Sequence, residues 1–166
     1  MSSASFADAA RHHLDAVYRY VLTMTKNSAL AEDLTSETFE RALRRWHRYD
    51  AQRAGQRTWL LMLARSAALD HFRAEARRVR REDRFAEGRD RVEAETTVDL
   101  GLSPALEEAL AELSAAEREV IALRVVLELD GDTAARVLGI SRTSCSSRLS
   151  RALRKLEERV SAHVAV

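Results

Sequence analysis

An all-α protein is what this sequence predicts, on three observations. Its 166 residues include one proline and only five glycines, the residues that most readily interrupt helices. Ala, Leu, Arg and Glu are abundant, and all of them are tolerated well inside helices. Apolar positions recur at spacings of three and four, and no stretch alternates convincingly enough to be a strand. The length accommodates one domain or two small ones. A 46% hydrophobic fraction beside 32% charged residues fits a folded globular chain.

The first helix is predicted over Phe6–Thr25, with Leu14, Val17, Tyr18, Val21 and Leu22 as its buried stripe. The second begins at Asn27 or Ser28, a natural cap, and runs to about Trp46 through Leu30, Leu34, Thr38, Phe39, Ala42 and Leu43. Its acidic residues Glu32, Asp33, Glu37 and Glu40 precede Arg41, Arg44 and Arg45. The helix macrodipole favours that order by roughly 0.3–1 kcal/mol per group. It accounts for the order of the charges but not for their number. "HRYDAQRAGQRT", His47 to Thr58, reads as a loop around Gly55. A third helix follows from Trp59 to about Arg81, apolar at first (Trp59 to Ala64, Ala67 to Leu69) and then basic (Arg73, Arg77, Arg78, Arg80, Arg81). Between Glu82 and Pro104 the periodicity fails, and the stretch reads as a charged linker.

After Pro104 the apolar period resumes with Leu106, Ala109, Leu110 and Leu113. Ser114 and Glu117 form a capping-box pattern that opens a helix through Val120, Ile121, Leu123 and Arg124. "DGDTAARVLGIS" gives a short helix stopped at Gly139, and Ser141 caps the last one. Short helix, glycine turn and second helix together make a helix-turn-helix pattern.

The net charge of +1 conceals a strong alternation. Residues 1–40 carry −3, residues 41–81 carry +9, residues 82–119 carry −8 and residues 120–166 carry +3. Two basic blocks around an acidic one suggest two polyanion-facing surfaces joined by a segment that avoids polyanions. Solvated helix faces are the plainer explanation for any single block. Cys145, the only cysteine, excludes an internal disulfide and fits a reducing cytoplasm. No apolar run approaches the roughly 20 residues needed to cross a bilayer, and the first residues lack a signal-peptide pattern. A cytoplasmic protein without membrane insertion is expected.

Catalysis finds little support. The histidines at 12, 13, 47, 71 and 163 form no metal-ligand spacing with Cys145. No phosphate loop, nucleophile elbow or paired-carboxylate arrangement is visible. Asp70, between apolar residues and arginines on one helix, is better explained by a local ion pair than by general-base chemistry. The expectation is no enzyme, no catalytic residue, no cofactor and no metal.

In the last helix, a turn of about 100° per residue puts Cys145, Leu149, Ala152, Leu153 and Leu156 on one face. Ser144, Ser147, Arg151 and Arg154 lie opposite, with Thr143, Ser150 and Lys155 beside them and Arg148 on the flank. Short polar side chains near a helix start allow close approach to base edges in a major groove, and arginines reach phosphates or guanines. A solvated helical hairpin would show the same pattern.

The order of parts is more specific. "AEDLTSETFERALRRW", then "TWLLMLARSAALDHFRAEARR", then "LSAAEREVIALRVVLEL" and "ARVLGISRTSCSSRLSRAL" resemble the extracytoplasmic-function (ECF) sigma factors of the sigma-70 family, from about Phe6 to Val160. The resemblance implies two small helical domains: sigma region 2 over residues 6–81 and sigma region 4 over 105–160, with the linker at 82–104. It implies a subunit that binds core RNA polymerase and directs promoter-specific initiation. Glu32, Asp33, Leu34, Glu37, Phe39, Arg41 and Arg44 would dock on the beta-prime clamp, and region 4 on the beta flap. Arg53, Gln56, Arg57 and Trp59 would hold a flipped minus-ten base, with Trp59 equally readable as core. Arg65, Arg73, Arg77 and Arg78 would track the single strand and upstream phosphates. Arg142, Thr143, Ser144, Ser146, Ser147, Arg148, Ser150 and Arg151 would read the minus-thirty-five element.

The sequence departs from the family pattern at several positions. Ser36 stands where glutamine is usual and Ser66 where asparagine is usual; Gly131 replaces a frequent aromatic, and Thr133–Ala134 a frequent acidic–aliphatic pair. In the recognition helix only the Ser147–Arg148 pair and Arg151–Ala152 match, so promoter preference cannot be carried over. No appended sensory domain is expected, which points to outside regulation, an anti-sigma factor being the candidate partner. The competing readings are a stand-alone helix-turn-helix regulator dimerising through its first helices and, more weakly, an enzyme acting on nucleic acid.

Overall fold

The computed structural model describes residues 5–85 and 103–164, and among these every regular element is helical. Helix α1 covers Phe6–Thr25 and is capped by Ser5, whose side chain accepts from the Ala7 N–H. It ends at Lys26, which adopts a left-handed conformation with φ 53°. Asn27 immediately caps α2, Ser28–Arg45, by accepting from the Leu30 N–H at 2.9 Å. Adjacent stop and start signals make a tight reversal that lays α1 along α2.

A 3₁₀ turn at Trp46–Arg48 follows, then a short loop and α3, Gln56–Phe85. α3 starts three residues earlier than expected, because Gly55 offers its carbonyl to the Trp59 N–H at 3.0 Å. Gln56, Arg57 and Thr58 are therefore its first turn rather than loop. It also runs past Arg81, where Arg78 pairs with both Glu75 and Glu82 one turn to either side. The expected linker thus overlaps α3 at one end; residues 86–102 lie outside the described residues.

Small residues set the packing of α1–α3. Ala31, Thr35, Thr38 and Ala42 are the buried side of α2 with Leu34, and Ala64, Ala67 and Ala68 line α3 behind Leu60 and Leu61. Close approach turns larger neighbours outward. Leu14 and Leu43, expected in the buried stripes, are 52% and 59% exposed. Val17 and Val21 are buried as expected and are joined by Ala9, Tyr20 and Met24, while Tyr18 and Leu22 are half-buried.

The second group comprises α4 (Pro104–Ala111), α5 (Ala115–Ile121), α6 (Gly131–Leu138) and α7 (Arg142–Val164). The Ser114–Glu117 capping box forms as expected, with Ser114 N–H donating to the Glu117 carboxylate at 3.0 Å. The helix predicted to continue through Arg124 instead opens into a π-helical turn, Ala122–Val126, closed by the Leu127 N–H on the Ala122 carbonyl. The wider turn keeps Leu123, Leu127 and Leu129 buried while the chain bends into α6. The two groups pack on each other, α1 against α5 and the π turn, α3 against α6.

Candidate nucleic-acid interface

The α6–α7 corner is built by Gly139 at φ 66°, a conformation that disfavours any residue with a Cβ. Ser141 then caps α7 by accepting from the Ser144 N–H at 3.1 Å. From that start, Cys145 and Ala152 point inward, 1% and 0% exposed, and burial pushes the Cys145 thiol pKa up. Arg142, Thr143, Ser144, Ser146, Ser147, Ser150 and Arg151 are all exposed, and Arg148 is half-buried on the flank. Leu153, expected to be buried, is 44% exposed because Ala152 takes the central packing position. Arg142 is tied to Asp132 across the turn at 2.9 Å. Arg148 and Arg151 make no ion pair among the described residues. The result is a polar, cationic helix face with two uncommitted guanidiniums.

A second cationic surface surrounds the loop between α2 and α3. Asp50 shapes the loop, its carboxylate accepting from the Gln52 N–H and its carbonyl from the Arg53 N–H. Arg53 itself is 88% exposed, 3.5 Å from Asp50. Trp59 joins a half-buried ring cluster: Trp46 stacks on Tyr49 at 5.1 Å, Trp59 lies 5.3 Å from Tyr49 and 5.9 Å from Trp46, and Phe6 meets Trp46 edge-on. Trp46 and Tyr49 were not singled out from the sequence, although "WHRY" put two aromatic residues three apart. Gln56 and Arg57 are half-buried beside His13, whose pKa is lowered by burial and then by His12 and Arg57.

Along α3, Arg73 and Arg77 are exposed and Arg78 is held by its two glutamates. Arg65 is different. Its Nε donates to Glu119 of α5 at 2.6 Å, and Arg57 donates to the Leu127 carbonyl at 2.9 Å.

On α2, Glu32 and Asp33 face solvent and Phe39 is half-buried. Leu34 is 3% exposed and supports the helix from its core side rather than presenting itself to a partner. Arg41 is clamped between Glu37 and, across to α3, Asp70 at 2.9 Å, whereas the local partner expected for Asp70 is Arg73 one turn on, at 3.9 Å. Arg44 pairs loosely with Glu40 at 3.6 Å, both well exposed.

A helical bundle with a cationic aromatic-lined loop is coupled to a helix-turn-helix with an open polar face. Comparison with known proteins gives the family. Residues 9–78 match sigma-70 region 2 and residues 103–156 match sigma-70 region 4. The chain is 35% identical over 147 residues to the ECF RNA polymerase sigma factor BldN of Streptomyces coelicolor, a match covering 86% of this chain and 55% of BldN. It is 31% identical to the ECF sigma factor SigM of Bacillus subtilis, covering 87% of this chain and 88% of SigM. Among solved structures it is similar to the sigma factor RpoE in complex with the anti-sigma factor NepR from Bartonella quintana. That match has a TM-score of 0.78 at 25% identity, over 94% of this chain and 96% of the other. The chain belongs to the sigma-70 family, in its ECF group.

Proposed function

We propose that this chain binds core RNA polymerase and directs initiation at promoters carrying two elements, one read by each helical group. The domain division proposed is 6–81 and 105–160, joined by 82–104. The observation that carries the reading is the ordered pairing of a region 2 match and a region 4 match on one chain, each coinciding with a cationic surface. The charged outer side of α2, with Glu32, Asp33, Glu37, Phe39, Arg41 and Arg44, docks on the beta-prime clamp, with Leu34 shaping it from beneath. Region 4 contacts the beta flap. Arg53, Gln56, Arg57 and the Trp46–Tyr49–Trp59 cluster receive an unstacked minus-ten base, for which stacking surfaces and guanidiniums suit the chemistry. Arg65, Arg73, Arg77 and Arg78 follow the strand's phosphates. The α7 face from Arg142 to Arg151 reads the minus-thirty-five element, where hydroxyls and guanidiniums accept or donate at base edges. The role is non-catalytic and is exercised in the cytoplasm. Among the described residues no helix is long and apolar enough to cross a membrane.

An anti-sigma factor is the proposed regulatory partner, by similarity to RpoE, solved with NepR bound. A dimerising stand-alone regulator is disfavoured by the charged outer side of α2. Run-off transcription with purified core polymerase on genomic fragments tests the reading. Specific transcripts that require this protein support it, and intact DNA binding without them favours the regulator.

A further inference from the structure

One arginine at the start of the recognition helix is withheld from its outer face. Arg142 is the first residue of α7, the end at which the helix dipole disfavours a cation. Its side chain does not run out along that helix. A Cβ added at Gly131 would lie 3.7 Å from Arg142 Nε and 3.9 Å from its Cγ, so the arginine folds back across the first turn of α6. There its Nη1 donates to Asp132 Oδ2 at 2.9 Å. Asp132 is itself held in place, because its N–H donates to the Asp130 carboxylate at 3.0 Å. Asp130 also accepts from the N–H and the hydroxyl of Thr133, at 2.9 and 2.6 Å, and is engaged in capping α6. That leaves Asp132 as the carboxylate of this corner that answers Arg142.

Locally, the pair is electrostatic compensation: Asp132 suits the start of α6 and offsets the cation at the start of α7. Beside DNA it has a further consequence. Non-specific binding is set by how many cations reach phosphates in any register, whereas specific binding adds base-edge contacts in one register. At 2.9 Å the two charges lie far inside the Debye length of about 8 Å, so together they present almost no net charge to a phosphate backbone. The count is the same if Arg142 swings to a phosphate, since Asp132 then stands unpaired beside the strand. Arg148 and Arg151, which make no ion pair among the described residues, remain as the active cations of the face. We infer that Asp132 is a specificity-determining residue: by cancelling Arg142 it lowers affinity for arbitrary DNA and makes tight binding depend on the contacts of Arg148 and Arg151. The inference rests on the sigma-factor reading for what the face recognises, but the effect of Asp132 on DNA binding is measurable without polymerase.

The test begins with the free full-length chain, titrated by fluorescence anisotropy against a mixed-sequence DNA duplex over a salt series. Asp132→Asn keeps the shape at a 65% exposed position and removes the charge. It should steepen the salt slope by about 0.9, the value of one phosphate contact, and raise affinity about threefold to tenfold at about 0.1 M salt. Adding Arg142→Ala to it should restore the wild-type slope, because the cation that Asp132 cancels is then gone. Glu157→Gln, which removes the same charge from the far half of α7, should leave the slope unchanged. Should Asp132→Asn melt early, Asp132→Ser repeats the measurement. Holoenzyme is then compared on a promoter fragment found by run-off transcription and on the same fragment with its minus-thirty-five element scrambled. Asp132→Asn should tighten binding to the scrambled fragment more than to the promoter, lowering the ratio of the two affinities by about threefold or more. An unchanged slope in the folded variant overturns the inference, and so does weaker promoter binding, which would make Asp132 a support aiming Arg142 at DNA. Equal tightening on both fragments overturns the specificity role. A wild-type holoenzyme that gives no specific transcript would refute the sigma reading, while the slopes of the free chain would still decide whether Asp132 cancels Arg142.

Discussion

Arg151→Ala is the sharpest probe of the recognition surface, because the structure separates its effect on binding from any effect on folding. Arg151 is exposed on the outer face of α7 and makes no ion pair among the described residues. Removing it should change stability by no more than about 0.5 kcal/mol. Everything lost on DNA is then a lost contact. A two-pronged guanine contact is worth about 1–3 kcal/mol, about 5- to 150-fold in affinity and specific to one base pair. A phosphate contact would instead weaken all sequences alike and lower the salt slope by about one. The assay is fluorescence anisotropy of the holoenzyme on a cognate promoter fragment over a salt series. Arg159→Ala supplies the control, removing the same charge from the same helix. Arg159 pairs with Glu112 at the end of α4 at 2.7 Å, on the surface, so its loss costs up to about 1 kcal/mol of stability and no promoter affinity. Equal loss of affinity in both variants would reduce the effect to net charge. No loss in Arg151→Ala would show that another face of region 4 meets the DNA.

Other expectations concern the scaffold and the neighbouring arginine. Arg148→Ala should weaken minus-thirty-five binding by a similar 1–3 kcal/mol, about the value of one base contact, while leaving core-polymerase binding intact in a pull-down. Gly139→Ala should destabilise by about 1–2 kcal/mol in urea titration, purely from the left-handed backbone, since an added Cβ meets nothing within 4 Å. Leu60→Ala, at a fully buried site of α3, should cost about 2–5 kcal/mol by the same measurement. Lys155, 2.7 Å away, and then Ser114 hold the Glu117 carboxyl down to about 2. Its unfolded value is about 4.3, so its stabilising contribution is complete above that pH and is lost as pH falls towards 2. Glu117→Gln should remove this part of the acid dependence of the melting temperature, the two proteins converging near pH 2.

The helices were legible because caps and periods are local. Asn27, the Ser114–Glu117 box, Gly139 and Ser141 each act within four residues, and each does in the structure what its chemistry predicts. Which side of a helix is buried was less legible, since it depends on what packs against it. The run of small residues along α2 draws α1 and α3 close and leaves Leu43 outside, although its hydrophobicity argued for the core. The π turn left no local signal. Glu119 is the clearest case of what sequence could not give: in "EREV" it reads as an exposed helix charge. Its partners lie 99 and 54 positions away, and nothing in the sequence marks Tyr20 and Arg65 as a pair. Contacts between domains are the least local of all.

The serines of α7 illustrate how capping and recognition divide one stretch between them. Ser141 and Ser144 are committed to the helix start, hydroxyl to hydroxyl at 2.9 Å, so Ser144 offers DNA only what that bond leaves free. Ser146, Ser147 and Ser150 are exposed, and no hydrogen bond occupies their side chains among the described residues. Serine is a poor choice for helix stability alone. Here stability is supplied elsewhere, by the Ser141 cap, by buried Cys145 and Ala152, and by the Lys155–Glu117 and Arg159–Glu112 pairs farther along. That leaves the first turns free to carry short side chains, which let the helix backbone approach a groove floor closely. A hydroxyl both donates and accepts, so by itself it discriminates base pairs weakly. Sequence preference at the minus-thirty-five element should therefore come chiefly from Arg148 and Arg151, with the serines setting how deeply the helix sits.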